Sequence, residues 1–177
     1  MPAEQFSHVR TWVFDLDNTL YPPAMRLFDQ IEIRMTDWVS RKLGVSEAQA
    51  NHLRATYWRL HGTTLAGLMA EHAIDPYDFL SHVHDIDFSA VTPDAALARR
   101  IAALPGRRIV YTNADAPYAR RVLAARGLTD LFDAVYGIEH ANFRPKPERQ
   151  AFETVFTLDG LDPTTAAMFE DDARNRS

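Results

Sequence analysis

Four clusters of polar residues have the types and spacing to act together. The first, Asp15-Leu16-Asp17-Asn18, follows the apolar run Thr11 to Phe14. Two carboxylates two residues apart lie on one side of an extended backbone, unless the turn after Asp15 rotates the second. Such a pair suits a nucleophile working beside a metal ion. A phosphate monoester resists attack because its oxygens are negative, so a catalyst must neutralise that charge and hold the nucleophile in line with the leaving oxygen. Asp15 has the place of the nucleophile. Asp17 can protonate the departing alkoxide and then deprotonate the water that opens the acyl phosphate. In the second cluster, VYTNAD, a strand ends at Thr112, whose hydroxyl and nearby amides can donate to phosphate oxygens, helped by the helix that starts a few residues later. Lys146 stands in Arg144-Pro145-Lys146-Pro147, where the second proline biases the lysine toward an extended conformation and itself suits the first turn of a helix. Glu170-Asp171-Asp172 is the fourth cluster, and three adjacent carboxylates call for a cation. Magnesium prefers oxygen ligands and keeps several waters, so one or two of these with Asp15 suffice to hold it.

Each cluster alone has an ordinary reading: a solvated turn, a strand-end hydroxyl, a loop lysine, an acidic run at a surface. Their order along the chain separates the readings, because all four fall where strands end or helices begin. Ligands bind at that edge of an open α/β sheet.

The elements that would carry these clusters follow from periodicity. Thr11 to Phe14 reads as a buried parallel strand. Leu27, Ile31, Met35, Trp38, Val39 and Leu43 recur at helical spacing until Gly44. A capping box at Ser46 to Gln49 opens a second helix with Leu53, Tyr57 and Leu60 on its apolar stripe. Two shorter helices are expected around Leu65 to His72 and from Pro76 to about His84. Beyond Thr92 the pattern alternates. A helix through Leu97 and Ile101, a Pro105-Gly106 turn and a strand from Arg108 to Thr112 come first. A helix from Pro117 to Gly127, a strand near Ala134 to Gly137, a helix after Pro147 and a strand from Ala166 to Phe169 follow. Alternation of this kind implies an α/β fold, a Rossmann-like parallel sheet with flanking helices. The four successive helices are then an insertion after the first strand: a core of residues 1–20 and 92–177, and an all-helical cap of residues 21–91.

Composition narrows the function. The 177 residues carry a formal charge of -5 with no basic stripe, so nucleic acid polymers are not expected partners. The chain has no cysteine, which excludes disulfides and thiolate chemistry and fits a reducing compartment. No leader-like segment or bilayer-length apolar run is visible, so a soluble cytoplasmic protein is expected.

VFDLDNTL, VYTNAD, RPKP and FEDD together resemble the motifs of the haloacid dehalogenase-like hydrolase superfamily, and the resemblance spans almost the whole chain. It implies that Asp15 is the nucleophile and a magnesium ligand. Asp17 would be the acid/base, binding the metal through its carbonyl. Thr112 and Lys146 would hold the phosphoryl group. Asp171 would complete the metal site, with Glu170 or Asp172 supporting it through water. Asp17 favours phosphate chemistry, since true dehalogenases lack it. Within the superfamily, DLDNTLYP, YWRLHGTTLAGLM and DPYDFLSHVHDID are most similar to the pyrimidine 5'-nucleotidase group. The expected substrate is accordingly a small phosphorylated metabolite, a pyrimidine nucleoside 5'-monophosphate first. Asn18, Asn113, Tyr21, Tyr57, His61 and Thr63 are the expected substrate contacts, with Thr64, His84 and Asp85 as further groups facing a nucleotide. The core of Tyr57's stripe is its alternative place. A sugar phosphomutase shares every core motif. The family normally continues past the acidic motif with a helix and a strand, whereas the sequence given stops at Ser177. A bare sheet edge is expected beside the last strand, and an inactive binding protein is the reading that edge would favour.

Overall fold

The computed structural model describes residues 5–176. At its centre β1 (Thr11–Phe14) is buried along its whole length. It pairs in parallel with β2 (Arg107–Tyr111) on one side and β4 (Ala166–Phe169) on the other, and β3 (Ala134–Tyr136) extends the sheet beyond β2. The order β3-β2-β1-β4 sets the C-terminal ends of β1, β2 and β4 side by side. The residues just after each strand, Asp15, Thr112 and Glu170, therefore meet at one edge.

Alternate residues along each strand serve opposite faces. Trp12, Phe14 and Val110 join the larger apolar cluster, while Val13, Ile109 and Tyr111 pack with Ala151 and Val155 of α7 (Arg149–Asp159) on the other face. Helices α5 (Ala95–Ala102) and α6 (Ala116–Arg126) complete the layers. β4 pairs only with β1 among the described residues, and Phe169 at its end is 43% exposed although stacked on Phe14 at 4.7 Å.

Between β1 and α5 lie α1 (Leu27–Leu43), α2 (Glu47–His61), α3 (Thr64–Glu71) and α4 (Pro76–Val83). α1 ends where Gly44 turns left-handed at φ 64°, and Ser46 opens α2 with the full capping box. α2 and α3 approach so closely that a Cβ on Gly67 would sit 2.3 Å from Tyr57 Cβ, so only glycine fits there. Phe79 of α4 meets Trp38 of α1 edge-on at 5.1 Å. Among the described residues, no helix is long and apolar enough to cross a membrane.

Three local expectations differ from the structure. Leu60, expected on the apolar stripe of α2, is 66% exposed, because the stripe rotates away from the core before the helix ends. β2 begins and ends one residue earlier than its apolar run suggests. Pro147 does not open a helix: Lys146 and Pro147 lie in a turn joined by a cis peptide, and α7 starts at Arg149. The short 3-10 turns at Pro23–Met25, Thr129–Leu131, Ile138–Ala141, Pro163–Thr165 and Ala173–Arg176 escape periodicity because one turn holds no repeat.

One buried side chain ties the two crossings between the inserted helices and the sheet. Arg126, 4% exposed at the end of α6, donates to Leu20 O at 3.0 Å, to Thr92 O at 2.5 Å and to Asp94 Oδ2 at 3.1 Å. Arg126→Met keeps the volume but strands Leu20 O in a buried place and removes the ties to the more exposed Thr92 O and Asp94, and a buried acceptor left unpaired costs about 1–3 kcal/mol. We expect urea unfolding to show a loss of about 3 kcal/mol; a change under about 0.5 kcal/mol would dismiss the clamp.

Candidate active site

The edge of the sheet holds a buried charge cluster. Lys146 is 2% exposed, and its Nζ donates to Glu170 Oε2 at 2.7 Å, Asp15 Oδ1 at 3.0 Å and Tyr111 O at 3.2 Å. Three acceptors match the three protons of an ammonium. The ammonium also lies 5.3 Å from the Tyr111 ring centroid. Its backbone is fixed by Asn113, whose Oδ1 accepts from Lys146 N at 2.8 Å and whose Nδ2 donates to Lys146 O at 3.3 Å. Asn113 lines the cleft, yet its side-chain amide is committed to placing the lysine.

Burial pushes the Asp15 carboxyl up to about 8, against the attraction of Lys146 and with the help of Glu170 and Asp17. Glu170 also loses solvation, but Lys146 and the Asp172 N–H more than offset that and hold it below the usual range. Burial first, then Glu170, raises Asp171. A single lysine thus serves two carboxylates, and Glu170 takes the larger share. Asp15, Glu170 and Asp171 each offer an oxygen, all within 4.8 Å of one another, and this all-oxygen set fits a hard divalent cation. Asp172 stands apart from that trio, paired with Arg174 at 2.6 Å, and Arg174 lies 4.2 Å over the Trp58 ring.

Asp17 faces the cleft half-buried. Its Oδ1 accepts from Tyr21 Oη at 2.5 Å and from Tyr118 Oη at 3.0 Å. Burial, followed by the Asp17 charge, holds both phenols far above their ordinary value, so both remain O–H donors. Thr112 is 1% exposed, and its Oγ1 accepts from Ala114 N at 3.0 Å, which leaves its own proton to donate. Asn18 turns left-handed at φ 57° and lines the cleft.

Above this edge a cleft of about 420 Å³ opens between the sheet and the inserted helices. Its roof is apolar, with Phe28, Ile31, Met35, Trp58, Phe79 and Val83, interrupted by Thr63, Thr64 and His84. Thr63 also caps α3 by accepting from Ala66 N at 3.1 Å.

The structure gathers Asp15, Asp17, Asn18, Thr63, Thr112, Asn113, Lys146, Glu170, Asp171 and Asp172 around the cleft. It does not bring the other three expected substrate contacts there. Tyr21 is 2% exposed and turned to Asp17. Tyr57 is packed in the core with its hydroxyl 2.7 Å from His72 Nε2. His61 lines a separate groove beside Glu71. Asp85 is paired with Arg34 away from the cleft. The sequence reading missed Tyr118. Its signal was its place in the first turn of the helix after Thr112, facing the same sheet edge.

A parallel sheet that delivers a carboxylate pair, a threonine, a lysine and an acidic trio to one edge beneath a helical roof defines a Rossmann-like α/β protein with a candidate acidic active site. The chain belongs to the haloacid dehalogenase-like hydrolases, whose family pattern matches residues 9–175. It is 27% identical to phosphate metabolism protein 8 of Saccharomyces cerevisiae over 92% of its own length, and spans about half (56%) of that curated relative. Its fold is similar to a HAD phosphatase from Thermococcus onnurineus, with TM-score 0.57 and 21% identity over 94% of this chain and 79% of that one. It is also similar to the HAD-hydrolase YfnB of Bacillus subtilis, bound to magnesium, with TM-score 0.54 and 16% identity over 94% and 82% of the two chains.

Proposed function

We propose that the protein is a magnesium-dependent phosphomonoester hydrolase that works through a phosphoaspartyl intermediate on Asp15, with residues 21–91 as the cap over its substrate. The observation that carries this reading is the buried Asp15–Lys146–Glu170 cluster at the end of β1, beside Asp171 and Thr112. Asp15, Asp171 and the Asp17 carbonyl would hold the ion, supported by Glu170 and Asp172. When bound, magnesium neutralises phosphoryl charge and keeps Asp15 ionised.

Asp15 attacks phosphorus as the ester P–O bond breaks, and Asp17 gives its proton to the departing alkoxide. Asp17 then takes a proton from water whose oxygen attacks phosphorus, and the Asp15–phosphorus bond breaks to release phosphate. Thr112 donates to one phosphoryl oxygen, Lys146 turns one of its three protons from a protein acceptor to another phosphoryl oxygen, and the apolar roof limits competing water.

A pyrimidine nucleoside 5'-monophosphate is the substrate we favour. The roof offers the Phe28 ring, 43% exposed, as a flat surface for a heterocyclic base, beside Trp58, whose ring carries Arg174 at 4.2 Å. The hydroxyls of a sugar phosphate would find only Thr63, Thr64 and His84 in that roof, which favours a ligand with a flat apolar ring over the mutase reading.

Stripping metal with a chelator and restoring magnesium tests the proposal across nucleotides, sugar phosphates and pyridoxal phosphate. Phosphate release should vanish on stripping, return with magnesium and be greatest for pyrimidine monophosphates. Release untouched by chelation, or absent over the whole panel, would overturn the assignment.

A further inference from the structure

Asp17 is not held like an ordinary surface carboxylate. Two phenols from distant parts of the chain donate to the same oxygen: Tyr21 from the segment after β1, and Tyr118 from the first turn of α6. Both tyrosines are at most 2% exposed, and their own hydroxyl oxygens lie 3.4 Å apart. The Tyr118 ring is locked against the His84 ring, stacked at 4.3 Å with planes 15° apart, and Phe88 lies 6.0 Å from it. Neither phenol can swing without repacking its surroundings. Asp17 Oδ1 is thereby occupied from the protein side, while Oδ2 has no hydrogen-bond partner among the described residues and belongs to a side chain that lines the cleft.

We propose that Tyr21 and Tyr118 are positioning residues for catalysis, which pin Asp17 through Oδ1 so that Oδ2 alone exchanges the proton with leaving group and water. This rests on the acid/base reading of Asp17. The two phenols keep their own protons throughout. In the first half-reaction the proton leaves Oδ2 for the alkoxide oxygen as the ester bond breaks; in the second, a water proton arrives at Oδ2. Pinning matters because a carboxylate free to rotate about Cβ–Cγ would spend much of its time with the proton directed away from the ester oxygen, and general acid catalysis is sensitive to such misplacement.

The test is the dependence on leaving group. A nitrophenolate departs without a proton, whereas an alkoxide needs one. The kcat/KM of the magnesium-loaded protein is measured with p-nitrophenyl phosphate and with a nucleoside 5'-monophosphate. The variants are Tyr21→Phe, Tyr118→Phe, the double variant and Asp17→Asn, with thermal unfolding as a check on folding. Asp17→Asn should lose about 10²–10⁴-fold on the nucleotide and much less on the aryl ester. The double variant should follow the same pattern, losing about tenfold more on the nucleotide than on the aryl ester, with each single variant in between and little change in KM. A purely structural role would lower both substrates alike. Equal losses on the two substrates in the tyrosine variants, alongside a selective loss in Asp17→Asn, would overturn the positioning role and leave the acid/base reading standing. Equal losses in Asp17→Asn would remove the acid/base reading, and the proposal with it. Should the double variant unfold, the same comparison on the two single variants decides, since each retains one donor.

Discussion

Asp15→Asn should abolish turnover while leaving the fold intact or firmer. The amide cannot attack phosphorus, and loss of a group that forms the covalent intermediate lowers kcat by about four orders of magnitude or more. Stability should move the other way. Asp15 is 6% exposed, and burial pushes its carboxyl up to about 8, so the metal-free protein carries it as a strained charge or an added proton at neutral pH. A neutral amide of nearly the same shape removes that desolvation cost, and Lys146 keeps Glu170 as its partner at 2.7 Å. The measurement is phosphate release at saturating magnesium together with a thermal melt of the metal-free protein. Wild-type turnover in the variant would sink the nucleophile assignment. Lost activity with a collapsed melting temperature would mean that Asp15 serves the fold instead.

Lys146→Met should have the largest effect on stability. It removes the cation between two carboxylates buried with it, Asp15 and Glu170, at 3.0 and 2.7 Å. Breaking a buried pair from one side costs about 3–5 kcal/mol, because the remaining charge is left uncompensated. The sign with pH follows. Without the lysine both carboxylates have folded-state values above their unfolded ones, so the folded state holds protons more tightly. The loss is then smallest below the unfolded carboxylate value of about 4 and grows as pH rises through the folded values. Urea unfolding of metal-free wild type and variant at several pH values from about 4 to 8 checks this. Magnesium should restore part of the lost stability in the variant, since a divalent ion among Asp15, Glu170 and Asp171 supplies the missing charge. A loss that stays flat with pH and ignores magnesium would mean that Lys146 acts through packing alone.

The two predictions rest on residues legible before any fold was known. Asp15 and Glu170 stand at strand ends because short β-prone runs stop abruptly in polar residues, and periodicity locates such runs well; Lys146 stands out by its place between two prolines. The helix boundaries at Gly44, Ser46 and Asp75 were equally legible, since glycine in a left-handed turn, a capping box and Asp-Pro are local chemistry. The course of the chain through RPKP was not. Pro147 had the look of a helix start, whereas a turn precedes α7 there and Asn113, 33 residues earlier, holds the Lys146 backbone.

The sequence by itself determined the class of chemistry and the alternation of elements, because both are written in residue types and spacings of a few positions. Which polar side chains face substrate was decided only by tertiary structure. Tyr21 and Asn113 read as substrate contacts, yet one is turned onto Asp17 and the other onto Lys146. Tyr118 reads as a helix residue, yet it reaches Asp17 across 101 positions of sequence, and Arg126 reaches Leu20 across 106. Each of these roles follows from a long-range meeting that buries a polar group. A buried donor must find an acceptor, and the packed fold alone settles which one lies within reach.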